Sequence, residues 1–213
     1  MANKSSLGEI LGRSRTTITA VKENPELAAA LKMYGYTPER LAAGEQKLTQ
    51  VELFFEKQKR EYADYFEATQ EFINLKTQVT DAYRKDMKLI RIASKQNPTL
   101  AKVIPKQVET GNIQEFSKEA VTLYQSLQNN NDFTEALAFV GLNSADFSVQ
   151  IGNLKELSKL SAIREREGAE AETATEIRDK ELDELQEYCK DLRTIAKIAS
   201  DGNPMLKRIV NEL

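Results

Sequence analysis

A chain of 213 residues, 40% hydrophobic and 30% charged with a net charge of −3, has the composition of a folded protein. It holds no histidine, no tryptophan and a single cysteine, Cys189. These absences exclude Ser-His and Cys-His catalysis, histidine-ligated zinc and an internal disulfide, and the acidic balance argues against a whole-surface grip on nucleic acid.

The start, Met1 to Thr16, has no apolar core of signal-peptide length, and no run of 18 apolar residues occurs anywhere. A lone cysteine fits a reducing compartment. The expectation is a cytoplasmic protein.

Residues 5–22 carry Leu7, Ile10, Leu11, Ile18 and Val21 at loose helical spacing, weakened by Gly8 and Gly12, with the first few residues expected to fray. Asn24-Pro25 is a helix start: Asn caps free N–H groups, and proline at the first helical position gives up no bond. The helix Pro25–Tyr34 should end at Gly35, a residue suited to the left-handed conformation. Thr37-Pro38-Glu39 then repeats the start signal.

From Glu45 to Gln96 there is neither glycine nor proline. Alternating steps of three and four pick out Leu48, Val51, Phe55, Gln58, Tyr62, Tyr65, Thr69, Phe72, Lys76, Val79, Tyr83, Asp86, Ile90 and Ala93. Ten of these fourteen are apolar or aromatic. That is a coiled-coil-like seam with polar interruptions. The pattern predicts one helix over Pro38–Lys95, roughly 85 Å long at 1.5 Å per residue. The alternative is a hairpin near Phe72–Leu75, with Asn74 its only turn residue.

Asn97-Pro98 starts a short helix, Pro98–Ile104. A further helix covers Ile113–Gln128, and Asn129-Asn130-Asn131 breaks it. Asn143 and Ser144 replace the earlier Thr37-Pro38 as a cap, and a second long helix should run from about Ala145 to Ser200.

The chain also repeats itself. Ile92-Ala93-Ser94-Lys95-Gln96-Asn97-Pro98-Thr99-Leu100 returns as Ile198-Ala199-Ser200-Asp201-Gly202-Asn203-Pro204-Met205-Leu206, six of nine positions identical at an offset of 106. Gly141 follows Gly35, Leu154 follows Leu48 and Asn130 follows Asn24 at the same offset. Tyr188, Lys190, Asp191 and Ile195 repeat Tyr83, Lys85, Asp86 and Ile90 at 105 instead. That predicts a one-residue slip, marked by a bulge or an overwound turn. The middles of the long helices differ: Phe54 to Phe72 is aromatic, whereas Arg164 to Thr173 is small and charged. One arrangement sets Tyr62–Phe72 beside Gly168–Thr175, rings against small residues. The other leaves Arg164–Thr173 as a solvated segment kinked at Gly168.

Tyr34-Gly35-Tyr36-Thr37-Pro38-Glu39-Arg40-Leu41-Ala42-Ala43-Gly44 is similar to a phrase in a family of uncharacterised bacterial helical proteins. There an alanine-rich long helix also follows and ends in a stretch like Tyr83–Ala93. The resemblance covers most of the first half and weakens in the second, where Gly44 becomes Gln150. It implies a bacterial, long-helical protein, and no activity or site residues.

Three features bear on function. Asn-Pro-x-Leu, at Asn24, Asn97 and Asn203, reads as a helix start rather than a docking motif. Arg84–Lys106 has seven Lys or Arg against one acid, Asp86; Arg84, Lys85, Lys88, Arg91, Lys95 and Lys102 form a candidate interaction surface for nucleic acid or an anionic membrane. Against that, cations also suit the negative end of a long helix. The run Glu165–Glu187 holds ten acids, read as a solvated helix face rather than a metal site.

The expected fold is all-α: an elongated bundle of two duplicated halves, 1–106 and 107–213, forming one continuous structure with two long antiparallel helices and short helices at each end. The expected function is a non-enzymatic structural or protein-interaction role with self-association or a protein partner. Catalytic, metal and cofactor residues are expected to be absent, and no small-molecule substrate is evident.

Overall fold

In the computed structural model, which describes residues 6–106 and 109–213, the fold is all-α, with no strand among the described residues. The expectation for the first few residues, Met1 to Ser5, lies outside them, as do Gln107 and Val108 within the connection from Pro105 to Gly111. The helices are α1 Leu7–Glu23, α2 Pro25–Lys32, α3 Pro38–Ser94, α4 Pro98–Val103, α5 Ile113–Gln128, α6 Asn131–Ala138, α7 Ser144–Ala199 and α8 Pro204–Asn211. Both long helices are unbroken, so Asn74 marks no hairpin and Gly168 ends no helix.

The starts follow from capping chemistry. Ser6 and Glu9 close a capping box on α1. The Asn24 side chain accepts from the Leu27 N–H at 2.9 Å. Asn97 accepts from Thr99 and Leu100, and Asn203 from Met205 and Leu206. Each of these three Asn residues precedes a proline at the first helical position, where the missing N–H would have found no partner in any case.

The ends are less simple. After α2, Gly35 turns left-handed at φ +84° and the Tyr36 N–H returns to the Leu31 carbonyl; Gly141 at φ +79° and Leu142 do the same after α6. The long helices were expected to reach Lys95 and about Ser200. They stop one residue earlier, at Ser94 and Ala199, and after α3 the last turn tightens. The Lys95, Gln96 and Asn97 N–H groups bond three residues back.

The chain divides into two compact units. One joins the chain up to Glu61 with Ala171–Leu213; the other is Tyr62–Glu170. The halves 1–106 and 107–213 are therefore units of sequence, and each compact unit takes part of both. In the first unit the start of α3 packs antiparallel to the end of α7: Lys47 pairs with Glu184 at 2.6 Å, and Gln58 donates to Thr175 at 3.0 Å. In the second, the end of α3 packs antiparallel to the start of α7. Tyr65 touches Gly168, and the Arg164 guanidinium lies 4.6 Å over the Phe72 ring.

Each unit has its own apolar core. The first centres on Val21, Leu27, Leu31, Val51, Leu185 and Leu192, the second on Ile90, Phe116, Leu127, Leu137, Phe147 and Leu157. The burial pattern repeats at the same offset as the Ile-Ala-Ser phrase. Thr17, Ile18 and Val21 of α1 are buried, as are Leu123, Tyr124 and Leu127 of α5; Leu27 and Leu31 match Phe133 and Leu137. Near the ends of the long helices, Val79, Tyr83, Asp86 and Ile90 match Leu185, Cys189, Leu192 and Ala196, all buried.

That register corrects the expected slip. Asp191 and Ile195, the identical letters one position short of the main offset, are not buried, whereas Asp86 and Ile90 are. No bulge interrupts α7. Packing keeps the main offset, and the letters that match one position short of it lie on another face.

None of the fourteen seam positions of α3 is exposed, though those from Phe55 to Thr69 are only half-buried. The aromatic stripe is not core throughout: Phe72 is buried, and Phe66 is 64% exposed.

Candidate functional site

The second unit carries a cationic groove of about 350 Å³ lined by Tyr83, Arg84, Met87, Lys88 and Arg91 of α3 and by Pro105, Lys106 and Thr110. Helical geometry accounts for the α3 contribution. Arg84, Lys88 and Arg91 are spaced by four and then three and share one face. After α4, Ile104 leaves the helix in an extended conformation, and Pro105 and Lys106 next line the groove.

The structure thus brings together three of the six basic residues singled out from the sequence. Lys85, Lys95 and Lys102 are exposed and do not line the groove. Lys106 and Thr110 join instead, two positions that helix spacing alone does not connect to α3.

Tyr83 forms the inner wall. Its ring is 5% exposed and packs edge-on against Phe116 at 5.3 Å and Tyr124 at 6.1 Å. Its hydroxyl is buried with no hydrogen-bond partner among the described residues. A buried unpaired hydroxyl costs about 1–3 kcal/mol. Burial pushes the phenol up to about 12, partly opposed by Arg91 and reinforced by Glu119, so it stays a neutral donor near neutral pH. Arg84 is held by Asp81 at 3.2 Å on the surface, a weak pair.

Beneath this wall, the Tyr124 hydroxyl donates to Asp86 Oδ2 at 2.8 Å. Asp86 is 7% exposed, and burial raises its pKa against the lowering effect of that hydrogen bond; Asp146 adds to the rise and Lys85 opposes it. Burial and the Asp86 charge also push the Tyr124 phenol up. From the sequence Asp86 was a polar interruption of the seam, and nothing there pointed to Tyr124, which lies on a different helix. The signal was a carboxylate at a seam position, which demands a donor.

The groove belongs to one unit only. At the main repeat offset, Tyr83, Lys88 and Lys106 correspond to Cys189, Thr194 and Glu212. The first unit instead has a wide groove of mixed charge between α1 and α7, where Arg13, Arg178, Lys190 and Arg193 face Asp179, Asp183 and Glu187. It also has an apolar hollow of about 430 Å³ among Ile18, Ala28, Ala29, Pro38, Leu41 and Ala42. Cys189 is buried and unpaired, and burial pushes its thiol up, which makes it a poor nucleophile.

Among the described residues no helix is long and apolar enough to cross a membrane. Compared with protein-family models, with curated proteins and with solved structures, the chain matches none.

Proposed function

We propose that the protein is a non-enzymatic interaction protein that associates with a second copy of itself through apolar side chains exposed at matching positions of its two halves. The observation that carries this reading is the pair Met33 and Phe139. They match at the main repeat offset, each stands two positions before the left-handed glycine that ends α2 or α6, and they are 86% and 76% exposed. Two positions before them, Leu31 and Leu137 are fully buried. Ile92 and Ile198 are a second such pair, 50% and 47% exposed.

Single exposed apolar residues are ordinary. Their recurrence at the same register in both halves favours a used surface, and a patch borne twice by one chain suits the self-complementary contacts of a symmetric oligomer. The same reading takes the repeat as a duplication and, from the resemblance of Tyr34–Gly44 and the single unpaired cysteine, places the protein in a bacterial cytoplasm.

Sedimentation equilibrium across a concentration series tests the association. The wild type should self-associate, and Met33→Glu with Phe139→Glu should be monomeric with unchanged helix content. A wild type that stays monomeric throughout contradicts the proposal.

A further inference from the structure

We propose that the groove lined by the end of α3 and by Pro105, Lys106 and Thr110 is a binding site for a phosphate group. Four cationic side chains, Arg84, Lys88, Arg91 and Lys106, meet around one concavity whose volume suits a small ligand. Guanidinium and ammonium groups together supply the fork-shaped and point-charge donors that phosphate oxygens take.

A second observation is independent of charge. Tyr83 lines the groove's inner wall, and its buried hydroxyl has no acceptor among the described residues. An anionic oxygen that reaches this hydroxyl would accept its hydrogen. Thr110 adds another hydroxyl at the rim. Glu119 acts on Tyr83 from the neighbouring helix and Asp81 holds Arg84, so the site is not purely cationic. The ends of α3 and α7 match in register, yet where α3 has Tyr83 and Lys88, α7 has Cys189 and Thr194, which separates the groove from a general helix-end preference for cations. Self-association through Met33 and Phe139 is not required.

The test is isothermal titration of the full-length protein with inorganic pyrophosphate, alongside co-sedimentation with phosphatidylcholine vesicles containing phosphatidic acid. Saturable binding of pyrophosphate, weakened at least tenfold by Lys88→Ala with Arg91→Ala, supports the site with a free phosphate compound as its ligand. Vesicle binding alone, lost in the same variant, supports it with a lipid headgroup as the source. Tyr83→Phe keeps the ring and removes the donor. It should weaken binding several-fold while leaving the ligand-free protein no less stable. Binding to neither probe, or a response to chloride equal to that to pyrophosphate, overturns the proposal. So does binding undiminished in the Lys88→Ala, Arg91→Ala variant, which changes only exposed side chains.

Discussion

The Tyr188 ring occupies the space that a side chain at Gly44 would need. A Cβ on Gly44 would collide with Tyr188 Cε1, and the Tyr188 hydroxyl is tied to the Arg40 carbonyl at 3.0 Å, so the ring cannot simply swing away. Tyr36 packs against the same ring at 6.1 Å, with the Arg40 guanidinium 4.1 Å over its own face. At the main repeat offset the counterparts of Gly44 and Tyr188 are Gln150 and Ala82. At these positions the large and small residues stand on opposite long helices in the two halves of the sequence.

Gly44→Ala should therefore destabilise the protein by about 1–2 kcal/mol, overpacking outweighing the gain in helix propensity. In a Tyr188→Ala background the same substitution should stabilise, by about 1 kcal/mol. Urea denaturation of the four proteins checks the reversal of sign.

Asp86 makes stability depend on pH in a particular direction. Its carboxyl binds a proton more tightly in the folded state than in the unfolded chain, where the value is about 3.9. Folding then takes up a proton between the two values. This contribution is fully present below the unfolded value and is lost as pH rises through the folded one. Asp86→Asn keeps an acceptor for Tyr124 and removes the titration. Denaturation midpoints measured from about pH 4 upward should fall more steeply for the wild type than for the variant; parallel curves would be the contrary result.

The two corners after the long helices should respond differently to alanine. Gly202 is left-handed at φ +86°, whereas no residue other than glycine has positive φ among the described residues, Gln96 at the matching position included. Gly202→Ala should cost about 1–2 kcal/mol, and the exposed Gln96→Ala should change stability by less than about 0.5 kcal/mol. Thermal melts of the pair read out the difference.

The helix starts at Asn24, Asn97 and Asn203 were legible because a cap followed by proline acts locally; Asn112 and Asn130 also bond the first turn of the helix that follows, but without a proline they were not read as starts, and α6 was missed. The seam from Leu48 to Ala93 was legible because its period survives polar interruptions. The compact units were not, since each combines segments far apart in the chain. The groove was half legible: the spacing of Arg84, Lys88 and Arg91 on α3 is in the sequence, but Lys106 and Thr110 lie beyond α4, where no periodicity links them to α3. The identical letters one position short of the main offset misled for a physical reason. Tyr188 is set by its contact with Gly44, a need that Tyr83 does not share.

The central claim is that the two units are packed on one plan, displaced along the chain by the offset that carries Ile90 onto Ala196. Thiol labelling of single cysteines in a Cys189→Ala background tests it most directly. Leu192→Cys, in register with buried Asp86, should be protected in the native state, and Asp191→Cys should label as freely as an exposed thiol. Protection of Asp191→Cys with rapid labelling of Leu192→Cys would contradict that register.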